Sequence, residues 1–370
     1  MQFKVLQEDF SKCLNTALRF TSTKIQLPVL ANILLKTEKG KLIIKATNLE
    51  TSISLSIGAK VEKEGEITVP AKVMAEIVSN LGMGQIDFEV DHEKLKIVTS
   101  RFKSVVTGMN SSDFPKVADK IPSEALEISS LVLSDALSDT LFSVSGDESR
   151  PVLTGVLMLL NKEEVVFVGT DGFRLSQKKI DFKGVNEVEH LILPKNAISE
   201  VVRLSAGVDT VGFFYNKTDN LAIFAFANTV LTTRIIEGEF PDFEKIIPKT
   251  SKITIRIDKE EMVQAVKLAS VFAKDAANVI KMKVLKDSVI ILAESSKSGV
   301  QEMKIDAKVE GEAGDESIIA FNYRFLEEFL NTVKNEEIVI KFSDPNSPVI
   351  FLDPSDKDFL HIIMPVRLQN

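Results

Sequence analysis

The 370-residue sequence contains one cysteine, three histidines and no tryptophan. A single cysteine excludes an internal disulfide framework and a thiolate zinc site, and three histidines leave little for a histidine metal centre. The longest apolar stretches, such as 152–160 and 221–227, are much shorter than the roughly 20 residues of a membrane-spanning helix. The opening MQFKVLQEDF lacks the basic segment and apolar run of a secretory signal, so we expect a soluble, cytoplasmic protein.

The composition is that of an ordinary globular protein, with 44% hydrophobic and 26% charged residues. The chain is too long for one typical domain, and its length favours two or three. Its net charge is −8, from 45 basic and 53 acidic side chains. Taken alone, this charge argues against a nucleic-acid partner, because nonspecific binders usually have a basic patch.

A repeat of roughly 125 residues divides the chain. Three proline-marked features recur in the same order, at Pro28 and Pro151, Pro70 and Pro194, and Pro115 and Pro241. Their offsets are 123, 124 and 126 residues. A third, fainter copy opens at Ile253 with the same change from alternating to helical spacing. We therefore predict three copies of one domain, over residues 1–123, 124–251 and 252–370.

Each copy is predicted to contain two amphipathic helices and several short alternating strands. The helices are predicted at 7–20, 70–81, 130–143, 194–206, 258–273 and 322–335. Asp258 followed by Glu261 is a capping-box arrangement that indicates where the fifth helix begins. Helices with one apolar stripe cover one face of a sheet, so the predicted class is α+β, with two helices packed on antiparallel sheets in each copy.

The sequence shows no phosphate-binding loop, dinucleotide fingerprint, paired histidines or nucleophile elbow. His92, His190 and His361 are isolated, and we interpret them as surface or partly buried structural residues. Cys13 lies on the first helix, where it is best explained as a small packing residue. Asp171 in GTDGFRL resembles a catalytic carboxylate but has no recognisable partner acid or base. We therefore predict no catalytic residue, metal or cofactor, and expect a binding or scaffolding protein.

Seven segments together resemble one known family. They are MQFKV at 1–5, LPVL at 27–30, TVPAK at 68–72, SRPVLTGV at 149–156, GTDGFRL at 169–175, EGEFPDFEKIIP at 237–248 and IIMPVRL at 362–368. In their order and spacing they are similar to the bacterial DNA polymerase III beta subunits, the replicative sliding clamps. The resemblance covers the whole chain.

The resemblance implies a head-to-tail homodimer that closes into a ring of six similar domains. In the family the helices line the central hole, which encircles double-stranded DNA without reading its sequence. The replicative polymerase, the clamp-loader ATPase and other proteins with a clamp-binding motif dock in a pocket on each chain. The clamp catalyses nothing, belongs to the polymerase holoenzyme, and works in the cytoplasm, at the nucleoid during replication. A net acidic charge is usual in the family.

The resemblance also implies the residues of the partner-peptide pocket. They are Leu153, Thr170, Gly172, Phe173, Arg174, Leu175, Pro241, Lys245, Ile246, Pro348, Ile362, Ile363, Met364, Pro365, Val366 and Arg367. An apolar trough suits Leu or Phe anchors, and Thr170 and Arg174 are expected to fix the peptide backbone. The sequence departs from the family at Phe173, where histidine is usual, and at Lys245, where arginine is familiar. Two residues, Gln369 and Asn370, extend past the usual end.

Two further sets follow from the family positions and from the predicted helix faces. The residues predicted to face DNA are Lys12, Arg19, Lys24, Lys72, Lys195, Arg203, Lys267 and Arg324. Those predicted at the dimer interface are Phe102, Val106 and Met109 of one chain against Val271 and Phe272 of the other. The helices are not basic overall, and Asp135 and Asp139 are expected to make the face of the third helix negative.

Two other functions compete with the sliding clamp. A scaffold of three repeated α+β domains could bind peptides through the same trough without encircling DNA. An unrecognised hydrolase or transferase could use Asp171. A closed ring with a central hole would distinguish the clamp from both.

Overall fold

The computed structural model describes residues 1–22, 27–183, 188–311 and 317–367. All six predicted helices are confirmed, with ends within three residues of the predicted ones. They are α1 (Gln7–Leu18), α2 (Ala71–Asn80), α3 (Ser130–Leu141), α4 (Lys195–Ser205), α5 (Lys259–Ala273) and α6 (Tyr323–Thr332). The predicted cap of α5 is present, since the Asp258 carboxylate accepts the Glu261 N–H at 2.9 Å. Within the described ranges, no helix has the length and apolarity needed to cross a membrane.

The strands are short and antiparallel. The first copy contains β1 (Gln2–Leu6), β2 (Asn32–Glu38), β3 (Lys41–Thr47), β4 (Thr51–Gly58), β5 (Lys60–Lys63), β6 (Gly65–Pro70), β7 (Gln85–Asp91), β8 (Lys94–Val98) and β9 (Lys103–Thr107). The second contains β10 (Leu126–Ser129), β11 (Gly155–Leu160), β12 (Glu164–Thr170), β13 (Arg174–Asp181), β14 (Glu189–Pro194), β15 (Thr210–Asn216), β16 (Leu221–Phe226) and β17 (Thr229–Arg234). The third contains β18 (Ile253–Asp258), β19 (Val279–Val284), β20 (Ser288–Ser295), β21 (Gly299–Glu310), β22 (Ser317–Asn322), β23 (Glu337–Phe342), β24 (Val349–Leu352) and β25 (Phe359–Ile363).

Two compact units divide the chain. The first comprises residues 1–133 and 203–235 and contains two sheets, ordered β5-β1-β7-β8-β9 and β10-β15-β16-β17-β4-β3-β2-β6. Alternation decides which side chains are buried, as in β3, where Leu42, Ile44 and Ala46 are fully buried. Phe3 stacks on Phe88 with ring centroids 4.8 Å apart beneath α1.

The second unit comprises residues 134–202 and 236–370. Its twelve-stranded sheet has the order β14-β11-β12-β13-β25-β24-β23-β18-β21-β20-β19-β22. Its largest core lies under α5 and α6, where Met262, Phe321, Phe329 and Phe351 are fully buried. Apolar side chains recur at helical spacing along α6, and their burial holds that helix against the sheet.

The sequence repeat is visible in the strand orders. Each copy contributes one row of four strands, namely β6-β2-β3-β4, β14-β11-β12-β13 and β22-β19-β20-β21. Each also contributes a second row, namely β1-β7-β8-β9, β10-β15-β16-β17 and β18-β23-β24-β25. The last strand of the first row of one copy pairs with the last strand of the second row of the next copy. In this way β4 pairs with β17, and β13 pairs with β25. The compact units therefore cut across the repeats, because two copies build each junction sheet.

Candidate functional site

The predicted pocket is centred on a tight turn between β12 and β13. The Asp171 carboxylate oxygen Oδ1 accepts the N–H groups of Phe173 and Arg174 at 2.8 and 3.1 Å. The Thr170 hydroxyl accepts the Gly172 N–H at 3.1 Å and donates to the Arg174 carbonyl at 2.6 Å. Gly172 has a φ of +91°, which favours glycine. The side chains of Thr170 and Asp171 therefore close the turn, and neither is placed as a peptide-binding group or a catalytic base.

Arg174 follows the turn and is buried. Its Nε lies 3.1 Å from the Asp171 carboxylate, its Nη1 donates to Glu328 of α6, and its Nη2 donates to the Phe142 carbonyl at 2.7 Å. The guanidinium also lies over the Phe325 ring, 4.5 Å from the centroid. The chain's own groups therefore engage three of the guanidinium donors, and the role of Arg174 in fixing a peptide backbone stays a prediction.

The turn and the C-terminal segment are adjacent, as the sequence predicted. Strands β13 and β25 pair with Arg174 opposite Ile363 and Leu175 opposite Ile362. Beyond the strand, the Met364 N–H donates to the Phe173 carbonyl at 2.8 Å. The Phe173 side chain is 61% exposed. An exposed aromatic ring therefore stands on a rigid turn beside the predicted trough.

The predicted apolar residues divide into a buried and an accessible group. Leu153, Leu175, Ile362 and Ile363 are buried, and they support the site from below rather than line it. The partly or largely exposed apolar residues are Pro241, Ile246, Pro348, Met364, Pro365 and Val366. Lys245 and Arg367 are exposed, and Lys245 forms an ion pair with Asp242 at 2.7 Å. The Val366 N–H donates to the Ala320 carbonyl at 2.8 Å, which fixes this segment against β22.

A buried polar network lies next to this turn. His361 on β25 is fully buried, with its Nδ1 2.8 Å from the Ser176 hydroxyl, which lies 2.6 Å from the Ser143 hydroxyl. Burial and the nearby Arg174 charge lower the pKa of His361 well below its usual value, so the ring is neutral. Of the three histidines, His92 and His190 are exposed as expected, whereas His361 belongs to the core.

A second cluster joins α3 to the same sheet. Lys178 of β13 lies 3.8 Å from Asp139 and forms an ion pair with Asp356. Burial raises the pKa of Asp139 to about 6, against the opposing attraction of Lys178. Asp135 pairs with Lys334 at 2.7 Å. The expected negative face on α3 is therefore wrong, because Asp139 is buried and Asp135 is paired.

Most of the basic residues predicted to face DNA lie on exposed helix surfaces. The exposed ones are Lys12, Arg19, Lys72, Arg203, Lys267 and Arg324, and Lys195 is partly buried. Lys72 lies 4.0 Å from Glu76, a contact of little energetic weight at such exposure. Lys24 lies outside the described residues. The helices thus present scattered cations rather than a continuous basic stripe.

The predicted dimer residues lie on or beside β9 and at the end of α5. Val106 is buried in its own sheet, whereas the neighbouring Val105 faces outward and is 56% exposed. Met109 and Val271 are exposed, whereas Phe102 and Phe272 are partly buried. Strand β9 is the edge of its five-stranded sheet. Alternation explains the difference between Val105 and Val106, because adjacent strand residues point to opposite faces.

The chemistry of the remaining candidates is limited. Burial raises the pKa of the half-buried Cys13 thiol to about 11, so the reactive thiolate is disfavoured. Among the described residues, no cluster of histidine, cysteine or carboxylate side chains is arranged to hold a metal ion. What the geometry offers instead is exposed apolar surface beside a fixed turn, together with exposed cations on helices.

Three tandem copies of this two-helix, two-row domain define the DNA-clamp fold, so the class of protein is a sliding clamp. The solved sliding clamp of Bacillus subtilis matches all of this chain and all of its own, with a TM-score of 0.94 at 23% identity. The beta chain of DNA polymerase III from Streptococcus pneumoniae matches 99% of this chain and all of its own, with a TM-score of 0.92 at 26% identity.

The sequence comparisons identify the family. The beta sliding clamp of Staphylococcus aureus strain Mu50 is 26% identical over 379 residues, which is 99% of each chain. The N-terminal, central and C-terminal domains of the DNA polymerase III beta subunit match residues 1–118, 127–242 and 244–367. The chain belongs to the DNA polymerase III beta subunit family. It is accordingly a non-catalytic accessory subunit, the processivity factor of the replicative polymerase.

Proposed function

We propose that two copies of this chain close head to tail into a ring that encircles duplex DNA and slides on it. The supporting observation is a junction that occurs twice within the chain. The outer strand of one copy, β4 or β13, pairs with the last strand of the next copy, β17 or β25. Each junction has one further hydrogen bond to a carbonyl of the turn. The Arg234 N–H donates to the Glu50 carbonyl at 2.9 Å, and the Met364 N–H donates to the Phe173 carbonyl at 2.8 Å.

The third copy and the first copy each have half of such a junction. Residues 299–303 of β21, the counterpart of β4 and β13, pair only with β20 among the described residues. Strand β9, the counterpart of β17 and β25, pairs only with β8 in the described part of the chain. Val300 and Val105 on these edges are 68% and 56% exposed. A second chain would supply the missing partner on each side, and head-to-tail contacts that close produce a ring.

The proposed ring would hold DNA by enclosure rather than by strong contacts. The exposed basic residues of the helices would meet phosphates singly, and salt would screen each contact. A chain with a net charge of −8 is suited to weak attraction that permits sliding. We further propose domain boundaries at 1–123, 124–251 and 252–370, and a cytoplasmic location with nucleoid association during replication.

We also propose that partner proteins dock beside Phe173. Their polymerase, loader or repair segments would insert apolar anchors between Phe173, Met364 and Pro365, with Pro241 and Ile246 as a further wall. Methionine adapts to differently shaped anchors, which suits a site with several partners. Polar recognition would fall to exposed backbone groups and Arg367, since Arg174 is engaged internally.

Retention on DNA tests the ring. After loading by a clamp-loader ATPase, we expect the protein to remain on circular DNA and to leave linear DNA through its free ends, measured by gel filtration of labelled protein with DNA. Equal retention on short linear DNA would contradict the proposal. Blocking both ends of the linear DNA with a bound protein is the control, and it should restore retention.

The dimer contact has its own test. Val105→Glu places a charge at the free edge of β9, and we expect it to shift the protein from dimer to monomer in light scattering. Val188→Glu, at a similarly exposed valine, is the matched control and should leave the dimer intact. A dimer that is unaffected by Val105→Glu would exclude the β9 edge from the interface.

A further inference from the structure

A groove lies on the second unit, between the segment 238–244 and the strands β11 and β14, and its lining includes the polar side chains of Asn161 and His190. Its volume is about 560 Å³. Its floor contains Leu157, Leu159, Ile192 and Phe243, and its rim contains the exposed carboxylates of Glu239, Asp242 and Glu244. The groove thus combines an apolar base with a negative edge.

The negative charge at the rim is only partly neutralised. Asp242 pairs with Lys245, both largely exposed. No basic side chain of the described residues forms a salt bridge with Glu239 or Glu244. The rim residues are not arranged for a metal ion within the described part of the chain. A groove of this charge repels phosphate groups and attracts cations.

The repeat provides an internal comparison for this segment. In the first copy, Phe114 and Val117 pack on Val29 and Leu30, as Phe240 and Phe243 pack near Val152 in the second. The backbone role is therefore shared, but two of the three rim positions differ in charge. Glu239, Asp242 and Glu244 correspond to Asp113, Lys116 and Ala118. Since the first copy builds the same segment with one acid at these positions, the two additional acids, Asp242 and Glu244, need another explanation.

The groove shares one residue with the predicted partner-peptide pocket. Pro241 lines the groove and also belongs to the predicted pocket. Phe243 packs in the same apolar cluster as Leu175 and Ile362, which support the pocket from below. A peptide anchored beside Phe173 could therefore extend along Pro241 into the groove.

We propose that this groove binds a basic flank of the partner peptide, a short segment with lysine or arginine next to the apolar anchors. The methylene stems would lie on Leu159 and Phe243, and the cationic ends would meet Glu239 and Glu244. This inference rests on the proposed docking function, which it extends from apolar anchoring to charge selection. The same rim disfavours nucleic acid as the occupant.

The test uses fluorescent peptides with one apolar anchor segment and three kinds of flank. The flank is Gly-Ser, or Lys-Arg before the anchors, or Lys-Arg after them, and binding to the full-length protein is measured by anisotropy. At about 50 mM salt we expect one of the basic flanks to improve affinity about fivefold, and about 300 mM salt to remove most of that gain. Glu239→Gln with Glu244→Gln should abolish the gain and leave the Gly-Ser peptide unchanged. Glu124→Gln with Glu127→Gln, the same charge change on the first unit, should preserve it.

The remaining results of the peptide experiment each support or overturn a proposal. A gain that persists in the groove variant, or that the control variant also loses, overturns the proposal. Equal loss for all peptides in the groove variant also overturns it, since these residues would then shape the pocket itself. If only a basic peptide binds and depends on Glu239 and Glu244, the groove is supported and the apolar docking site fails. If no peptide binds, both proposals fail.

Discussion

Two turns in this chain, 47–51 and 170–174, share one backbone design and differ in their side chains. The Thr47 hydroxyl accepts the Leu49 N–H at 3.0 Å and donates to the Thr51 carbonyl at 3.1 Å. Asn48 accepts the N–H groups of Glu50 and Thr51 at 3.0 and 2.8 Å. Each of these bonds has its counterpart 123 positions later. The turn is therefore a property of the repeat and not of the docking site.

The differences begin where the second turn meets the third copy. Glu50 and Thr51 of the first turn correspond to Phe173 and Arg174 of the second. Arg174 ties the turn to α6 through Glu328, and Phe173 leaves an aromatic ring exposed. A shared backbone thus fixes the position, and two side-chain changes distinguish the junction at which we propose docking from its counterpart in the first copy.

The largest expected effect is on the ion network of the second turn. Arg174→Ala removes the guanidinium donors of Asp171 Oδ2, of Glu328 and of the Phe142 carbonyl, so we expect a loss of about 2–4 kcal/mol in the free energy of unfolding. Thr51→Ala, at the corresponding position, should cost less than about 1 kcal/mol. Urea unfolding followed by circular dichroism measures both. Similar costs at the two positions would mean that the internal ion network contributes little.

A smaller effect concerns Asp139, whose counterpart in the first copy is Thr16. The pKa of Asp139 is raised to about 6 from its usual 3.8, so the folded state holds a proton that the unfolded state has released between those values. The contribution of Asp139 to stability should therefore fall as pH rises from about 4 to about 6, by about 1–2 kcal/mol, against the opposite contribution of the buried neutral His361. Asp139→Asn should remove this dependence and be the more stable form at pH above about 7.

The pH series needs a matched control, and Thr16→Val on α1 serves, since it should shift stability equally at every pH. Urea midpoints at a series of pH values give the comparison. If Asp139→Asn keeps the slope of the native protein between about pH 4 and 6, another group is responsible for it.

Much of this fold could be predicted from the sequence, because its determinants are local. Helical spacing located all six helices, and Asp258 marked the start of α5. The contact between Arg174 and Glu328 could not be predicted, since 154 positions separate the two residues and only the packing of α6 joins them. The same holds for Val105 and Val106, where alternation gives two faces but tertiary packing decides which is buried.

The candidate site was predicted by location more accurately than by role. The turn and the C-terminal segment are adjacent, yet Leu175 and Ile362 are core residues and Thr170 closes the turn. The family positions implied a binding role for all of them, and side-chain type could not correct this, because threonine and leucine suit either role. Burial distinguishes the two roles, and a buried position is set by contacts across the whole unit.

Docking should depend on Phe173 more than on its neighbours. Phe173→Ala removes exposed aromatic surface, so we expect about a fivefold loss of affinity for an anchor peptide and an unchanged unfolding midpoint. Glu50→Ala, its counterpart in the first turn, is the control and should not alter peptide binding. This substitution is a cleaner test than removing the C-terminal segment, since Ile362 and Ile363 are fully buried. Full affinity in Phe173→Ala would place the peptide elsewhere.

The smallest expected effect is on backbone strain in the shared turn. Leu49 has a φ of +77°, where the second turn has Gly172 at +91°. A branched side chain is strained in this region, whereas glycine is not, although glycine also gains freedom in the unfolded chain. We therefore expect Leu49→Gly to stabilise the protein by about 0.5 kcal/mol and Gly172→Ala to destabilise it by about 1 kcal/mol, both by urea unfolding. If Leu49→Gly destabilised the protein instead, contacts of the Leu49 side chain, which is 48% exposed, would outweigh the strain, and the two turns would differ in more than their side chains.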